Sequence, residues 1–534
     1  DGWIYATHGF ANTSTVKGQE GPAVTMHSGN TFRLRPDGSR LEQWTWGQVN
    51  PFGLCFDPRG NLFSADCHSR PIYQLLRGAF YPSFGKPHDG LGFGPEMIGH
   101  DHGSTGIAGV VYYAAQQFPR EYWGTVFIGN PVTGKVNHDR LELRGSSPHA
   151  VELADFISCD DPWFRPVDLK LGPDGALYIA DFYNCIIGHY EVPLTHPRRD
   201  RERGRIWKVY YAGDGRRPPQ IEDLTQLDIE QLGERLGSPN LTVRVLATEE
   251  LAARGPQGFR LQWLVPEPDE AAVYRRAHAL WVAERVLPGG LPDELLAPLL
   301  TDPAPLVRVH ALKALAERLR WDGGPIDWHA RVVAALADEA PLVRRAAADA
   351  LGRHPRPDDL AALLKLWSET PPEDTHLIHV ARMALRDQLC LPESWSAAAL
   401  LAEDRALGDK LMEVSLGVHD ARAAEFLLVQ LTARGPDHGL SAAAYQEAAR
   451  WLEEPRLAAL YTQVLALESP PNALHQVLLA VHRGLQQRGT SLPAELIALA
   501  ERTAATLLRE PEIGAVHHGV ELVRELRLAS LWGE

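Results

Sequence analysis

Val167-Asp168-Leu169-Lys170-Leu171-Gly172-Pro173-Asp174-Gly175-Ala176-Leu177-Tyr178-Ile179-Ala180-Asp181 reads as a strand, a Pro/Gly turn and a returning strand that ends in Asp. The same unit recurs upstream. Phe52 to Phe56 precede Asp57-Pro58-Arg59-Gly60, and Leu62-Phe63-Ser64-Ala65-Asp66 follow. Trp123-Gly124-Thr125-Val126-Phe127-Ile128-Gly129-Asn130 is a looser copy, and Asp1-Gly2-Trp3-Ile4-Tyr5-Ala6-Thr7-His8 is another. A strand–turn–strand unit returning roughly every 40 to 60 residues is the pattern of β-propeller blades. About four blades are predicted over residues 1–211. Because Asp1-Gly2 falls at the turn, the strand before it is missing, and the expectation is an N-terminally truncated propeller, a fragment of a longer protein.

After Gly213-Asp214-Gly215-Arg216-Arg217-Pro218-Pro219 the composition turns to Ala, Leu, Arg and Glu with helical spacing. Val243-Arg244-Val245, Arg275-Arg276-Ala277, Val307-Arg308-Val309, Val343-Arg344-Arg345 and His379-Val380-Ala381 form a second repeat. Positions 244, 275, 308, 344 and 379 lie 31 to 36 residues apart, the period of HEAT-type helix pairs. The domain reading is therefore a propeller at 1–211, a linker at 212–220 and an all-α HEAT- or armadillo-like solenoid at 221–534.

Composition narrows the function classes. Of the 534 residues, 45% are hydrophobic and 23% charged, an ordinary globular balance. No apolar run is long enough to span a bilayer. The net charge of −15 is uneven. Residues 1–220 hold 23 acidic and 22 basic side chains, which leaves 68 − 23 = 45 acidic and 53 − 22 = 31 basic in the remainder. An acidic second half repels phosphate backbones and argues against a nucleic-acid partner. The five cysteines are scattered without a CxxC pair, so neither a zinc ribbon nor a CxxCH haem attachment lies in these residues. GxSxG, HExxH and a phosphate-cradling glycine loop do not occur either.

In a propeller, residues that enter the first strand of a blade and leave the second meet on one rim, where sites are commonly built. Here those positions are polar: Asn50, His102 with Ser104, and Arg165 on entry; His8, Asp66 with His68, Asn130, and Asp181 with Asn184 on exit. Asp and Asn at strand ends also cap turns through their own backbone, so Asn50 and Asn130 read more readily as caps than as ligands. Gly99-His100-Asp101-His102-Gly103-Ser104-Thr105 sets two histidines and an aspartate in a glycine-flanked loop, a pattern suited to metal binding or proton transfer. Arg165 has the guanidinium fork that pairs with a carboxylate; a contact between blades would use it equally.

Several longer stretches carry a resemblance. Ser28-Gly29-Asn30-Thr31-Phe32-Arg33, Val49-Asn50-Pro51-Phe52-Gly53, Ser64-Ala65-Asp66-Cys67-His68-Ser69, His102-Gly103-Ser104-Thr105, Phe164-Arg165-Pro166-Val167-Asp168, Asp181-Phe182-Tyr183-Asn184 and Ile187-Gly188-His189-Tyr190-Glu191 resemble the PVC-type membrane-bound dehydrogenase family. Its members look like a glucose/sorbosone-dehydrogenase-type propeller followed by HEAT repeats, often with a C-terminal CxxCH cytochrome module that this chain lacks. The resemblance implies an exported protein, periplasmic or membrane-associated, with a quinoprotein-like oxidoreductase domain. It implies pyrroloquinoline quinone and calcium as cofactors, a small sugar or alcohol as substrate, and a redox protein or cytochrome module as partner. It transfers no ligand set residue by residue. On rim geometry, His102 or His68 is the expected base, Arg165, Asn50 and Asn184 the cofactor-binding groups, and Asp66 and Asp181 the calcium ligands. The competing readings are a non-catalytic carbohydrate- or protein-binding propeller–solenoid scaffold and a calcium-dependent sugar lactonase.

Overall fold

The computed structural model describes residues 1–188, 192–322, 324–435 and 438–532; of the stretches quoted above, His189-Tyr190-Glu191 lies outside them. The chain forms two compact units. One comprises Asp1–His88, Gly92–His354 and Glu369–Ala381; the other comprises Asp89–Leu91, Pro355–Ser368 and Arg382–Glu534.

The first unit begins with sheets. Each strand–turn–strand segment of the sequence makes an antiparallel sheet of its own: Ile4–His8 with Asn30–Leu34 and Leu41–Trp46; Asn50–Phe56 with Leu62–Cys67 and Ile72–Leu75; Val110–Tyr112 with Thr125–Asn130, Lys135–Arg144 and Ser147–Glu152; and Pro166–Leu171 with Leu177–Asp181 and Arg205–Val209. Thr13–Val16 and Val24–His27 add a two-stranded ribbon. Registers fix which strand ends share a level: His8 faces Asn30, Asn50 faces Cys67, Asn130 faces Lys135 and Pro166 faces Asp181. All of these therefore lie at one end of their sheets, and the turns at Asp57–Gly60 and Gly172–Gly175 lie at the other.

Successive sheets adjoin through their first strands. Glycine makes the approach possible: a Cβ on Gly53 would fall 2.6 Å from the amide nitrogen of Val110, and one on Gly109 would fall 2.5 Å from Cα of Asp168. Gly109 N–H donates directly to the Val167 carbonyl of the next sheet. Between sheets, alternate apolar residues close the core. Phe63, Ala65, Ile72, Val110, Val126 and Ile128 pack together, as do Tyr113, Phe118, Phe127, Leu169, Leu177 and Ile179.

Helices follow from Ile229–Arg235 onward. The recurring arginine has a recurring task. Arg244, Arg308 and Arg344 each donate from Nη1 to a carbonyl six residues earlier, those of Ser238, Asp302 and Asp338 at 2.5, 2.8 and 2.8 Å. Each clamps the turn that leads into its own helix. Arg276 pairs with Asp302, and Arg308 with Asp338, so a buried ion pair links one repeat to the next.

Within this unit the helices meet the turn end of the sheets. Asn240 donates to the Gly172 carbonyl and Thr242 to the Leu171 carbonyl. His310 bridges the indole N–H of Trp281 and the Pro58 carbonyl, and Lys313 donates to the Gly60 carbonyl. Arg345 reaches Asn61 Oδ1 and the Ser146 carbonyl at 2.8 Å each. Asp374 accepts from the Ser146 amide and from the hydroxyls of Ser146 and Ser147. The second unit is helical, with a core built on Leu427, Tyr445, Leu460, Val481 and Leu496. No helix among the described residues is long and apolar enough to cross a membrane.

Candidate functional site

Backbone strain marks the end of the sheets opposite the turns. Eight non-glycine residues have positive φ among the described residues, and six of them are Ala11, Ser28, Gln48, His68, Phe84 and Tyr183. Five of the six flank strand termini at that end: Ala11 follows Ile4–His8, Ser28 precedes Asn30–Leu34, Gln48 precedes Asn50–Phe56, His68 follows Leu62–Cys67 and Tyr183 follows Leu177–Asp181. Phe84 joins them through its ring. A residue held in the left-handed region costs of order 1–3 kcal/mol and persists only where its surroundings impose it, which is commonly at functional sites.

The residues singled out from sequence do meet here, and most of them join neighbouring loops. Asn50 Oδ1 accepts from the Phe10 amide, linking the first two sheets. His68 donates its amide to the Thr105 carbonyl at 3.0 Å, and its Nδ1 lies 3.4 Å from Thr105 Oγ1, linking the second and third. Arg165 donates to the carbonyls of Pro131 and Val132, and also to those of Asn184 and Cys185, linking the third and fourth. Burial lowers the pKa of that guanidinium. Asn184 donates to the Asp200 carbonyl and accepts from the Ile186 amide. His8 spans the Ser28 carbonyl and Ser14 Oγ. Asn130 accepts from the Thr133 amide, as a turn cap does, and donates to the His102 carbonyl.

Asp66 and Asp181 occupy matching places and do matching work. Asp66 accepts from the amides of Val49 and Asn50, where its strand's neighbour begins, and from Ser69 Oγ. Asp181 accepts from the amides of Arg165 and Tyr183, and also from Arg205 Nε and Trp207 Nε1. Their acidities diverge for that reason. Burial raises the Asp66 carboxyl more than its hydrogen bonds lower it, whereas at Asp181 the donors outweigh burial and hold the carboxyl below its ordinary range.

His68 is the exception among these groups. Its ring is exposed, set 6.5 Å from the ring of Phe84, which stacks edge-on against Phe10 at 5.5 Å. Phe10, Phe52, Phe84 and Phe182 are all roughly half exposed or more, between 47% and 66%. An imidazole beside exposed rings can exchange a proton with a bound hydroxyl, and the rings can face the C–H surface of a sugar or a planar cofactor.

His102 is placed quite differently. It lies on the face of the third sheet between Asp139 and Glu152, its side chain 1% exposed. Asp139 and Glu152 stand opposite each other in register, as do Asp139 and Val126, so all three share that face. The Asp139 carboxylate accepts from Nε2 of both His100 and His102 at 2.9 Å. Burial lowers the His102 pKa, but Asp139 outweighs it and the net displacement is upward. Sequence reading found both histidines and missed Asp139 and Glu152. The signal was the run Asn137-His138-Asp139, three consecutive buried polar residues in a strand where alternation is the rule.

A cavity of about 290 Å³ lies at the other end, walled by Trp3, Trp44, His310, Lys313, Glu317 and Arg345 among others. Its charged groups are already engaged: Lys313 and Arg345 donate to the oxygens named above. Glu317 takes Arg33 and Arg77, and Arg77 also takes Asp349. These groups hold helices to sheets.

Two family models match the chain. A family described as a domain of unknown function, DUF7133, matches residues 1–213, and HEAT repeats match residues 292–386. No curated protein matches. Among solved structures, a glucose dehydrogenase is 22% identical over 34% of this chain and 51% of its own, with a TM-score of 0.23. An oxidoreductase of Thermus thermophilus, described as a glucose dehydrogenase, is 20% identical over 30% and 50%, with a TM-score of 0.22. A further glucose dehydrogenase is 20% identical over 34% and 55%, with a TM-score of 0.23. The chain spans about half the length of these structures.

Proposed function

We propose that the four sheets are blades of a β-propeller and that its strained rim is an oxidoreductase site for a sugar or alcohol, with His68 as the base. The observation that carries this reading is His68 itself. Its exposed imidazole is held on a left-handed backbone by Thr105 and sits beside the exposed ring of Phe84, itself packed on Phe10, where loops of neighbouring sheets meet. Successive first strands that adjoin in sequence order support the propeller. In the reaction, His68 Nε2 takes the hydroxyl proton of a carbinol while the carbon gives its hydride to a two-electron acceptor. The product is a carbonyl compound, or a lactone from a cyclic hemiacetal.

Pyrroloquinoline quinone with calcium is the acceptor to assay. Arg165, Asn50, Asn184, Asp66 and Asp181 spend polar atoms on their own and neighbouring loops, so their part is to shape the rim, and no step is assigned to a cofactor through them. The same commitment favours a second reading, a non-catalytic carbohydrate-binding rim that uses only the aromatic rings. Export and a redox partner for the acidic helical region belong to the enzyme reading.

The test is dye reduction by the purified chain with added quinone and calcium, across sugars and alcohols, beside a direct measurement of sugar binding. Turnover supports the enzyme. Binding without turnover in a folded protein supports the second reading, and the absence of both leaves neither standing.

A further inference from the structure

The Asp139 cluster is chemically distinct from the rim and is built in two shells. Asp139 is fully buried and accepts from His100 Nε2 and His102 Nε2. That bond fixes Nε2 as a protonated nitrogen in both rings, so each neutral ring keeps its lone pair on Nδ1, the atom a metal ion would take in place of a second proton. The His102 Nδ1 is buried without a hydrogen-bond partner, 3.5 Å from Glu152 Oε1. A buried lone pair with no donor is costly and asks for an electrophile. Ligand atoms on His100, His102 and Glu152 lie within 4.8 Å of one another.

The geometry points to a site for a divalent transition ion, zinc above all, bound by His100, His102 and Glu152 and held in place by Asp139. Two imidazoles and one carboxylate are a recurrent zinc ligand set, and a carboxylate behind the histidines orients them and raises their basicity. Ligands about 2.0–2.1 Å from a tetrahedral ion stand roughly 3.3 Å apart. The His102–Glu152 pair is already near that separation, and the Glu152 side chain, 53% exposed, is free to close the rest. Its exposure also leaves the fourth position to water. Harder ions fit less well, because calcium and magnesium prefer an all-oxygen shell. The ion would pin the 99–105 loop to the third sheet, and that loop carries Thr105, which holds His68.

Zinc alone is the probe. Competition with a chromophoric chelator should show one equivalent bound tightly by the full chain, and cobalt(II) in its place should give the visible absorption of a four-coordinate nitrogen/oxygen site. His100→Asn and Glu152→Gln, both at partly exposed positions, should each weaken binding at least about tenfold with an unchanged circular dichroism spectrum. Asp139→Asn, which touches no ion, should weaken it about 10- to 100-fold. No bound zinc in the parent chain would overturn the site, and so would binding that is unchanged in both ligand variants.

Discussion

The two ends of the sheets use charge and strain in opposite ways. At the turn end, buried ionisable groups meet main-chain groups, serine hydroxyls and one another: Lys313 on the Gly60 carbonyl, Arg345 on the Ser146 carbonyl, Asp374 on the Ser146 amide and the Ser146 and Ser147 hydroxyls, and Glu317 between Arg33 and Arg77. At the other end the backbone is strained and aromatic rings face solvent. The turn end also carries displaced pKa values. Burial takes Lys313 to about 8 and His310 to about 3, while Glu317 is held at about 2 because Arg77 and Arg33 overcome its burial. Perturbed titration there records the docking of helices on sheets, so it does not nominate a catalytic group. Strain and exposed rings, which carry no such docking role, are the better guide to a functional site.

If that contrast holds, breaking a docked charge should cost the most stability. Asp374→Ala takes the acceptor from four donors, the Ser146 and Leu377 amides and the Ser146 and Ser147 hydroxyls, and should lower unfolding free energy by about 3–5 kcal/mol, read as a drop in denaturant midpoint. Acid should act on the same end. His310 and His138, the latter lowered to about 4, stay neutral in the folded protein mainly because burial disfavours their charge. Below about 6.5 the unfolded chain takes up protons that these rings refuse, so stability falls as pH drops toward their folded values. For His310 alone this amounts to roughly 3 kcal/mol at pH 4. Glu317 adds stability above its unfolded value near 4.5 that is lost as pH falls toward 2. His310→Gln should flatten the curve between pH 6.5 and 4, and an unchanged slope would remove His310 as its source.

The rim should respond more mildly. Arg165→Lys keeps the charge but cannot reach four carbonyls, so a loss of about 1–2 kcal/mol is expected, with faster amide exchange in the 131–134 and 184–186 loops. Phe84→Ala removes an exposed ring and should shift stability by no more than about 0.5 kcal/mol. Its effect should appear as roughly tenfold weaker sugar binding. A stability loss at Phe84 as large as at Asp374 would dissolve the contrast between the two ends.

Much of this was legible in the sequence, for identifiable reasons. The Pro/Gly turns at Asp57–Gly60 and Gly172–Gly175 announced their hairpins because φ is constrained there, and registers followed. The repeated arginines announced the helical repeats because each clamps a turn of fixed length. The rim residues were found as a group, since strand ends share a level. Their individual work was not legible: whether Arg165 meets a ligand or four carbonyls depends on loops more than 15 residues away. Asp139 escaped notice because cross-strand register is what puts it beside Glu152, and a loop 37 to 39 residues away is what brings His100 and His102 to it.

The central claim is that His68 acts chemically and is strained for that purpose. His68→Gly removes the imidazole while giving the φ of 82° to the residue that adopts it at least cost. Dye-linked turnover of sugars and alcohols should fall at least about 100-fold, with an unfolding midpoint equal to or above that of the parent. Turnover that survives the substitution would contradict the account.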